Sequence, residues 1–461
     1  MWPLRPLQQG MLFHYLQEES KSEYMEHLIL SLQGQVDNRL FNAAWLAVYR
    51  ANDALRSVFK WEGLRAPVQI VLRNREPLPE IYDFTGGMIP DEFKAVLSTE
   101  DQQALKQTRS KKERIQLISE IIGKRNRTMR FDLTRETLRI VLCKFDGECR
   151  LFLTFHHIVL DGWSLGIVLE EWLHAYRALA EDQEVSPSAK PGMKAYLAAV
   201  KGSRQPEREA VYWADCLRDY EIKQTIQPFY KPRRPGFKRV SLSIPETAAA
   251  GMRLFCQNNG MPVATLMNGA WGLLLQRFKH VDDIVFGSTL SGRGVSLTGI
   301  ERMVGLLINT VPLRLSSRKR ESVLEYLAGV QSAITARRPY EMAGLSEIRG
   351  YAGIQGTEEL FDTLLVMENY PLDKVLLEQP MAGSAAEGLT GQAPLSISSF
   401  EMVEHTHYPL TLLIRESSGF EMDFIYDQES YDYFCGKSDV TVLCATAAQS
   451  GHAAKGTGVR H

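Results

Sequence analysis

The stretch FHHIVLDGWS, residues 155 to 164, constrains the fold of this 461-residue chain more than any other. It follows the apolar run RLFLT and precedes a segment in which Leu165, Val168, Leu169, Trp172, Ala175, Tyr176 and Leu179 recur at helical spacing. A strand must turn into a helix here, with Asp161 and Gly162 in the turn and Ser164 as the helix cap. Two histidines and an aspartate thus sit inside a segment built for a core. Neighbouring residues of a strand point to opposite faces, so His156 and His157 are expected to differ: one packs and the other faces a cavity.

The surroundings extend this pattern. LRIVLCKF and RLFLTFHHIV flank Asp146, Gly147 and Glu148, which predicts a hairpin whose second strand carries the histidines. Upstream, Leu40, Phe41, Ala44, Trp45, Val48 and Tyr49 predict a helix that feeds the strand RSVFKW. Between residues 83 and 130 the chain is charged, and KQTRSKKERIQLISEIIGKRNR reads as an amphipathic helix, either simply solvated or a docking face for an acidic partner. The second half repeats the alternation. Helices are predicted at ETAAAGMRLFCQNNG, ended by Gly260, at VATLMNGAWGLLLQRF and at SVLEYLAGVQSAITARR, and strands at DIVFGSTL, FDTLLVMEN, YPLTLLIRE and FEMDFIYD. Each half reads as an α/β sheet with helices on one side, and a length of 461 suggests two lobes of roughly 200 residues each. The Pro-rich basic stretch near residue 233 marks the boundary, and a cleft between lobes is the default site.

Composition excludes several classes. A net charge of -2 with 44% hydrophobic and 23% charged residues gives no reason to expect nucleic acid or an anionic membrane as partner. The N-terminus lacks a signal-peptide pattern and no run approaches the ~20 apolar residues of a membrane span, so the expected location is the cytoplasm. Six cysteines without a CxxC pair suit a reduced compartment without disulfides or structural zinc.

Four readings of the histidine pair compete. Both could be hydrogen-bonded core residues. A metal site lacks converging ligands, since only one carboxylate and no cysteine lie near. A serine hydrolase would need an activated serine, and no Gly-x-Ser-x-Gly turn is found. The last is a histidine with pKa near ~6.5 that takes a proton from an attacking nucleophile in direct acyl transfer, with an aspartate shaping its loop.

HHIVLDG also matches the HHxxxDG signature, and further motifs follow in order: PLQQGMLFHYL, NDALRSVF, Tyr212-Trp213, IVFGSTLSGR with IERMVGLLINTVPLRL, and HYPLTLLI. Together they span residues 3 to about 427, and the chain resembles the condensation domains of nonribosomal peptide synthetases. The resemblance implies two chloramphenicol-acetyltransferase-like lobes forming a V-shaped pseudo-dimer with the active site at their interface. It implies amide formation between a donor acyl or peptidyl thioester and an acceptor aminoacyl amine. Both would ride on the phosphopantetheine of partner carrier domains, with an adenylation domain nearby in the full synthetase and no cofactor of the chain's own. His157 would be catalytic, and Gly162 would leave room for the pantetheine arm and lend its N–H to an oxyanion. His156 would pack, and Asp161 would pair with Arg293 to shape the loop. Asn309 is balanced between a strand-end amide and a site-lining role, and Arg56 is expected to be structural.

The opening QQGMLFH resembles the subclass that accepts a D-configured donor, more than the one joining two L-residues or an epimerization domain. The expected lobes are 1–180 and 241–434, joined by 181–240. Residues 435–461 depart from the family and are expected to be loosely ordered. With no adenylation domain or carrier site recognisable, the chain is expected to be an excised or stand-alone piece. Two alternatives remain open: an inactive remnant that only binds carriers, and a free acyltransferase.

Overall fold

The structure, a computed structural model, describes residues 1–17, 24–185, 189–222, 236–354, 359–368, 395–403, 406–416 and 419–428. The atypical tail 435–461 and the boundary near residue 233 lie outside these. The chain forms two compact units. The first is Met1–Ala199, joined by Ser296–Leu307 and the strand Ser396–Val403; the second holds Val200–Val295, Ile308–Asn369 and the described residues from Thr406 on. Two stretches of the expected second lobe therefore belong to the first unit.

The first unit is built on a five-stranded sheet in the order Ser396–Val403, Met25–Gln33, Glu148–His156, Leu138–Phe145, Glu80–Asp83. The predicted hairpin is present, with Phe145 opposite Glu148 and Gly147 at φ 91°, a value that suits glycine in a two-residue turn. Along the strand Glu148–His156, Phe152 joins a cluster with Val141, Cys143, Phe93 and the helix Lys111–Thr128 through Ile115, Ile118 and Ile122. The basic segment is thus an amphipathic helix whose isoleucine face packs against the unit's core. On the opposite face, Leu28, Leu30, Leu142, Leu151 and Leu153 lie across from one another and are also fully buried. The helices Asn38–Ala51 and Gly162–Ala180 pack together through Trp45 and Trp172, stacked at 5.6 Å.

The second unit carries a six-stranded sheet, ordered Asn309–Ser316, Asp283–Leu290, Thr363–Glu368, Leu410–Glu416, Phe420–Asp427, Phe237–Ile244. Thr363–Glu368 runs parallel to both its neighbours and the remaining pairs are antiparallel. Alternation sorts its side chains. Ile284 and Phe286 pack with Trp271, Leu275, Tyr326 and Leu327 of the helices Val263–Lys279 and Val323–Arg337. Val285 packs instead with Trp213 and Ile348 of the helices Pro206–Cys216 and Leu345–Tyr351.

Both sheets are therefore covered on both faces, not on one side as expected. The cause is readable in runs such as IVLC, LLVM and LTLLI. Continuous apolar strands, unlike alternating ones, have no face suited to water. No described helix is long and apolar enough to cross a membrane.

Candidate active site

The histidine strand is third of five in its sheet, and its last residue, His156, pairs with Met25. His156 is fully buried, its ring edge-on to Tyr15 at 5.4 Å and near Tyr24. Its Nδ1 accepts from the Ile158 N–H at 3.1 Å. The proton of the neutral ring must then sit on Nε2, which has no hydrogen-bond partner among the described residues. Burial, with the neighbouring His157 and Arg130, drops its pKa from 6.5 to about 3. A ring held neutral and enclosed in this way is a packing element.

His157 differs. The strand has ended, its N–H donates to Tyr24 O at 2.8 Å, and its side chain is half-buried. Nδ1 lies 2.6 Å from Leu160 O. A carbonyl can only accept, so Nδ1 carries the proton and Nε2 keeps its lone pair. Burial lowers the His157 pKa below 6.5 against the opposing pull of the Leu160 carbonyl and the Asp161 charge. The ring is thus a neutral imidazole with its basic nitrogen directed away from its anchor.

Asp161 is fully buried and is itself the cap of the helix Gly162–Ala180, accepting from Ser164 N at 2.8 Å through Oδ1. This corrects the sequence reading, in which Ser164 capped the helix and Gly162 lay in the turn. Gly162 is the first helical residue. Ser164 turns its hydroxyl elsewhere, donating to Gly305 O at 2.7 Å and accepting from Gly305 N at 3.0 Å. Asp161 Oδ2 accepts from Leu307 N at 2.7 Å, and Asp161 N donates to Gly305 O at 3.3 Å. Trp163 Nε1 reaches Glu301 O at 2.9 Å, and Arg302 pairs with Glu170 at 2.7 Å. The segment 296–307 is thereby laced to the start of the helix that follows the histidines.

A short polar chain completes the loop. Gln8 donates to Ile158 O at 3.0 Å and to Gln69 at 3.1 Å, and Gln69 donates to Ser57 at 2.8 Å. Sequence reasoning missed Gln8 and Gln69. Gln8 sat inside the motif PLQQGM, whose meaning depends on contacts some 150 residues away.

Arg293 belongs to the second unit, where its guanidinium donates to Ser291 O at 3.1 Å. Asn309, in the same unit, spends both amide hydrogens on Glu341 O and Ala343 O at 2.7 and 2.9 Å. Arg56 donates to Tyr49 O, Leu72 O and Arg73 O and pairs with Asp53. It is structural, as expected.

The family model described as Condensation domain matches residues 1–434. A linear gramicidin synthase of Brevibacillus parabrevis is 31% identical over 445 residues, covering 94% of this chain and 5% of that protein. Tyrocidine synthase 2 of the same organism is 30% identical over 441 residues, covering 94% of this chain and 11% of that protein. The chain thus spans a small part of the curated relatives it matches. Among solved structures, the first condensation domain of the calcium-dependent antibiotic synthetase, in complex with a substrate analogue, superposes with TM-score 0.69 at 18% identity, over 98% of this chain and 95% of that one. The starter condensation domain of rhizomide synthetase gives 0.72 at 15% identity, over 98% and 95%. At these identities the structural likeness is one of fold: two α/β lobes of the chloramphenicol-acetyltransferase type.

Proposed function

Since the chain belongs to the condensation domain family of the nonribosomal peptide synthetases, we propose that it joins two thioester-bound substrates into an amide, with His157 at the reacting atoms. The observation that carries this reading is the 2.6 Å contact from His157 Nδ1 to Leu160 O, which leaves Nε2 unprotonated. The acceptor amine nitrogen attacks the donor thioester carbonyl carbon and forms the C–N bond. Nε2 takes the proton the nitrogen must shed, a contribution worth ~10²–10⁴-fold when the base is well placed. As the tetrahedral intermediate collapses, the C–S bond breaks and the departing thiolate takes that proton back from Nε2, which returns the imidazole to its neutral form.

Gly162 opens a helix, and the N–H groups of a first turn have no acceptor within the helix. We assign its N–H to the developing oxyanion and its missing side chain to the passage of the pantetheine arm. Asp161 and His156 act structurally, through the cap and the packed ring described above. The substrates arrive on the phosphopantetheine of donor and acceptor carrier domains, with an adenylation domain in the same assembly, and the donor is D-configured.

The test supplies D- and L-donors on carrier domains and, separately, on coenzyme A, with a carrier-bound acceptor, and follows amide by mass spectrometry. Amide from the carrier-bound D-donor alone supports the full reading. Equal turnover of coenzyme A thioesters would move the chain to the free acyltransferases. Carrier binding without product would make it a binding remnant.

A further inference from the structure

The loop that presents His157 is held from behind by three buried side chains that touch none of the reacting atoms. Gln8, Gln69 and Ser57 are 2%, 4% and 0% exposed. The Ser57 hydroxyl donates its single hydrogen to Asp53 O at 2.9 Å, so it must accept from Gln69 Nε2, at 2.8 Å. Gln69 Oε1 then faces Gln8 Nε2 at 3.1 Å. The second hydrogen of that same amide goes to Ile158 O at 3.0 Å, while Gln8 Oε1 accepts from Arg5 N at 3.0 Å. The direction of every bond is set by the one before it, and flipping either amide would set acceptor against acceptor.

Ile158 lies between His157 and Leu160, the residue whose carbonyl selects the ring tautomer. We infer that Gln8 is a positioning residue for His157: its amide fixes the 157–160 turn through Ile158 O, so that Leu160 O stays on Nδ1 and Nε2 stays basic. Gln69 and Ser57 orient Gln8 in turn. This inference rests on the reading of His157 as the base, and a misplacement of about 1 Å in such a group costs on the order of 10²-fold.

The experiment uses the full chain carrying Gln8→Met, which keeps the length of the side chain and removes both donors. Three quantities are followed: the ¹⁵N shifts of the His157 ring, assigned by their loss in His157→Gln; kcat and KM with loaded carrier domains; and thermal melting. The expected result is one neutral tautomer in the native protein, protonated at Nδ1, and a mixture of tautomers in Gln8→Met. Turnover should fall about 10- to 100-fold with KM within about twofold. Ser57→Ala, at the far end of the chain of bonds, should move the same signals in the same direction by less, and it serves if Gln8→Met fails to fold.

Unchanged ring shifts in the folded variants, or turnover lost only in step with the folded fraction, would overturn the inference. The two readings fail separately. Wild-type amide formation by His157→Ala would remove the base while leaving the tautomer response to Gln8 intact.

Discussion

Asp161→Asn replaces one carboxylate oxygen by an NH₂ group at the most heavily tied point of the site. The carboxylate accepts from Ser164 N at 2.8 Å on one oxygen and from Leu307 N at 2.7 Å on the other, with the residue fully buried. A hydrogen bond to a charged group is worth ~1.5–3 kcal/mol, and leaving a buried N–H unmade costs a further ~1–3 kcal/mol. Asparagine keeps one acceptor oxygen and turns an NH₂ toward the other N–H, so one bond is lost and one donor is stranded. Partial relaxation of the loop brings the expected loss to about 2–3 kcal/mol for Asn and about 4–5 kcal/mol for Ala, which removes both acceptors. Hydrogen exchange by mass spectrometry reads this locally. Peptides covering 160–166 and 303–309 should lose about 30- to 150-fold in protection in Asp161→Asn, since each ~1.4 kcal/mol is tenfold. If the helix start opens while Leu307 keeps native protection, Asp161 is only a cap and does not hold 296–307 in place.

Three other outcomes are expected. His156 has its folded pKa depressed to about 3 from 6.5, so the unfolded chain binds the extra proton first. Its contribution is complete above pH 6.5 and is lost as pH falls toward about 3, at about 1.4 kcal/mol per pH unit. Denaturant titrations across that window should flatten in His156→Asn, whose side-chain oxygen can still accept from Ile158 N; an unchanged slope would point to other groups. Lys190 and Glu171 are 7% and 13% exposed, 2.6 Å apart and both bonded to Asn52. Lys190→Met leaves the buried carboxylate without its cation and should cost about 3–5 kcal/mol, with most of it regained in Lys190→Met/Glu171→Leu, as chemical denaturation would record. In the second unit, a Cβ at Gly287 would meet the Phe361 ring at 2.4 Å, so Gly287→Ala should lose about 1–3 kcal/mol in the same assay.

Much of this arrangement was legible from the chain. Strong periodicity located the helices Gly162–Ala180 and Val263–Lys279, and Asp146-Gly147 announced the hairpin. The difference between His156 and His157 followed from strand alternation, although the structure achieves it by ending the strand between them. Local pattern could not choose between Asp161 and Ser164 as the cap. Both residue types cap well, and the choice turns on Gly305, which claims the Ser164 hydroxyl. The return of 296–307 to the first unit leaves no periodic trace, because its bonds run mainly through backbone N–H and C=O groups. Weakly patterned strands were also missed. Phe237–Ile244, at a sheet edge, alternates between exposed and half-buried residues and offers no run of apolar side chains.

If His157 acts as a neutral base through Nε2, the pH dependence of single-turnover amide formation will carry its signature. With donor and acceptor preloaded on carrier domains, the native rate should rise along an acid limb below pH 6.5 and level off above it, because burial lowers the His157 pKa. His157→Ala should bind the same carriers, lose ~10²–10⁴-fold in rate and lose the limb. A variant that keeps both the native rate and the native pH profile would contradict the account.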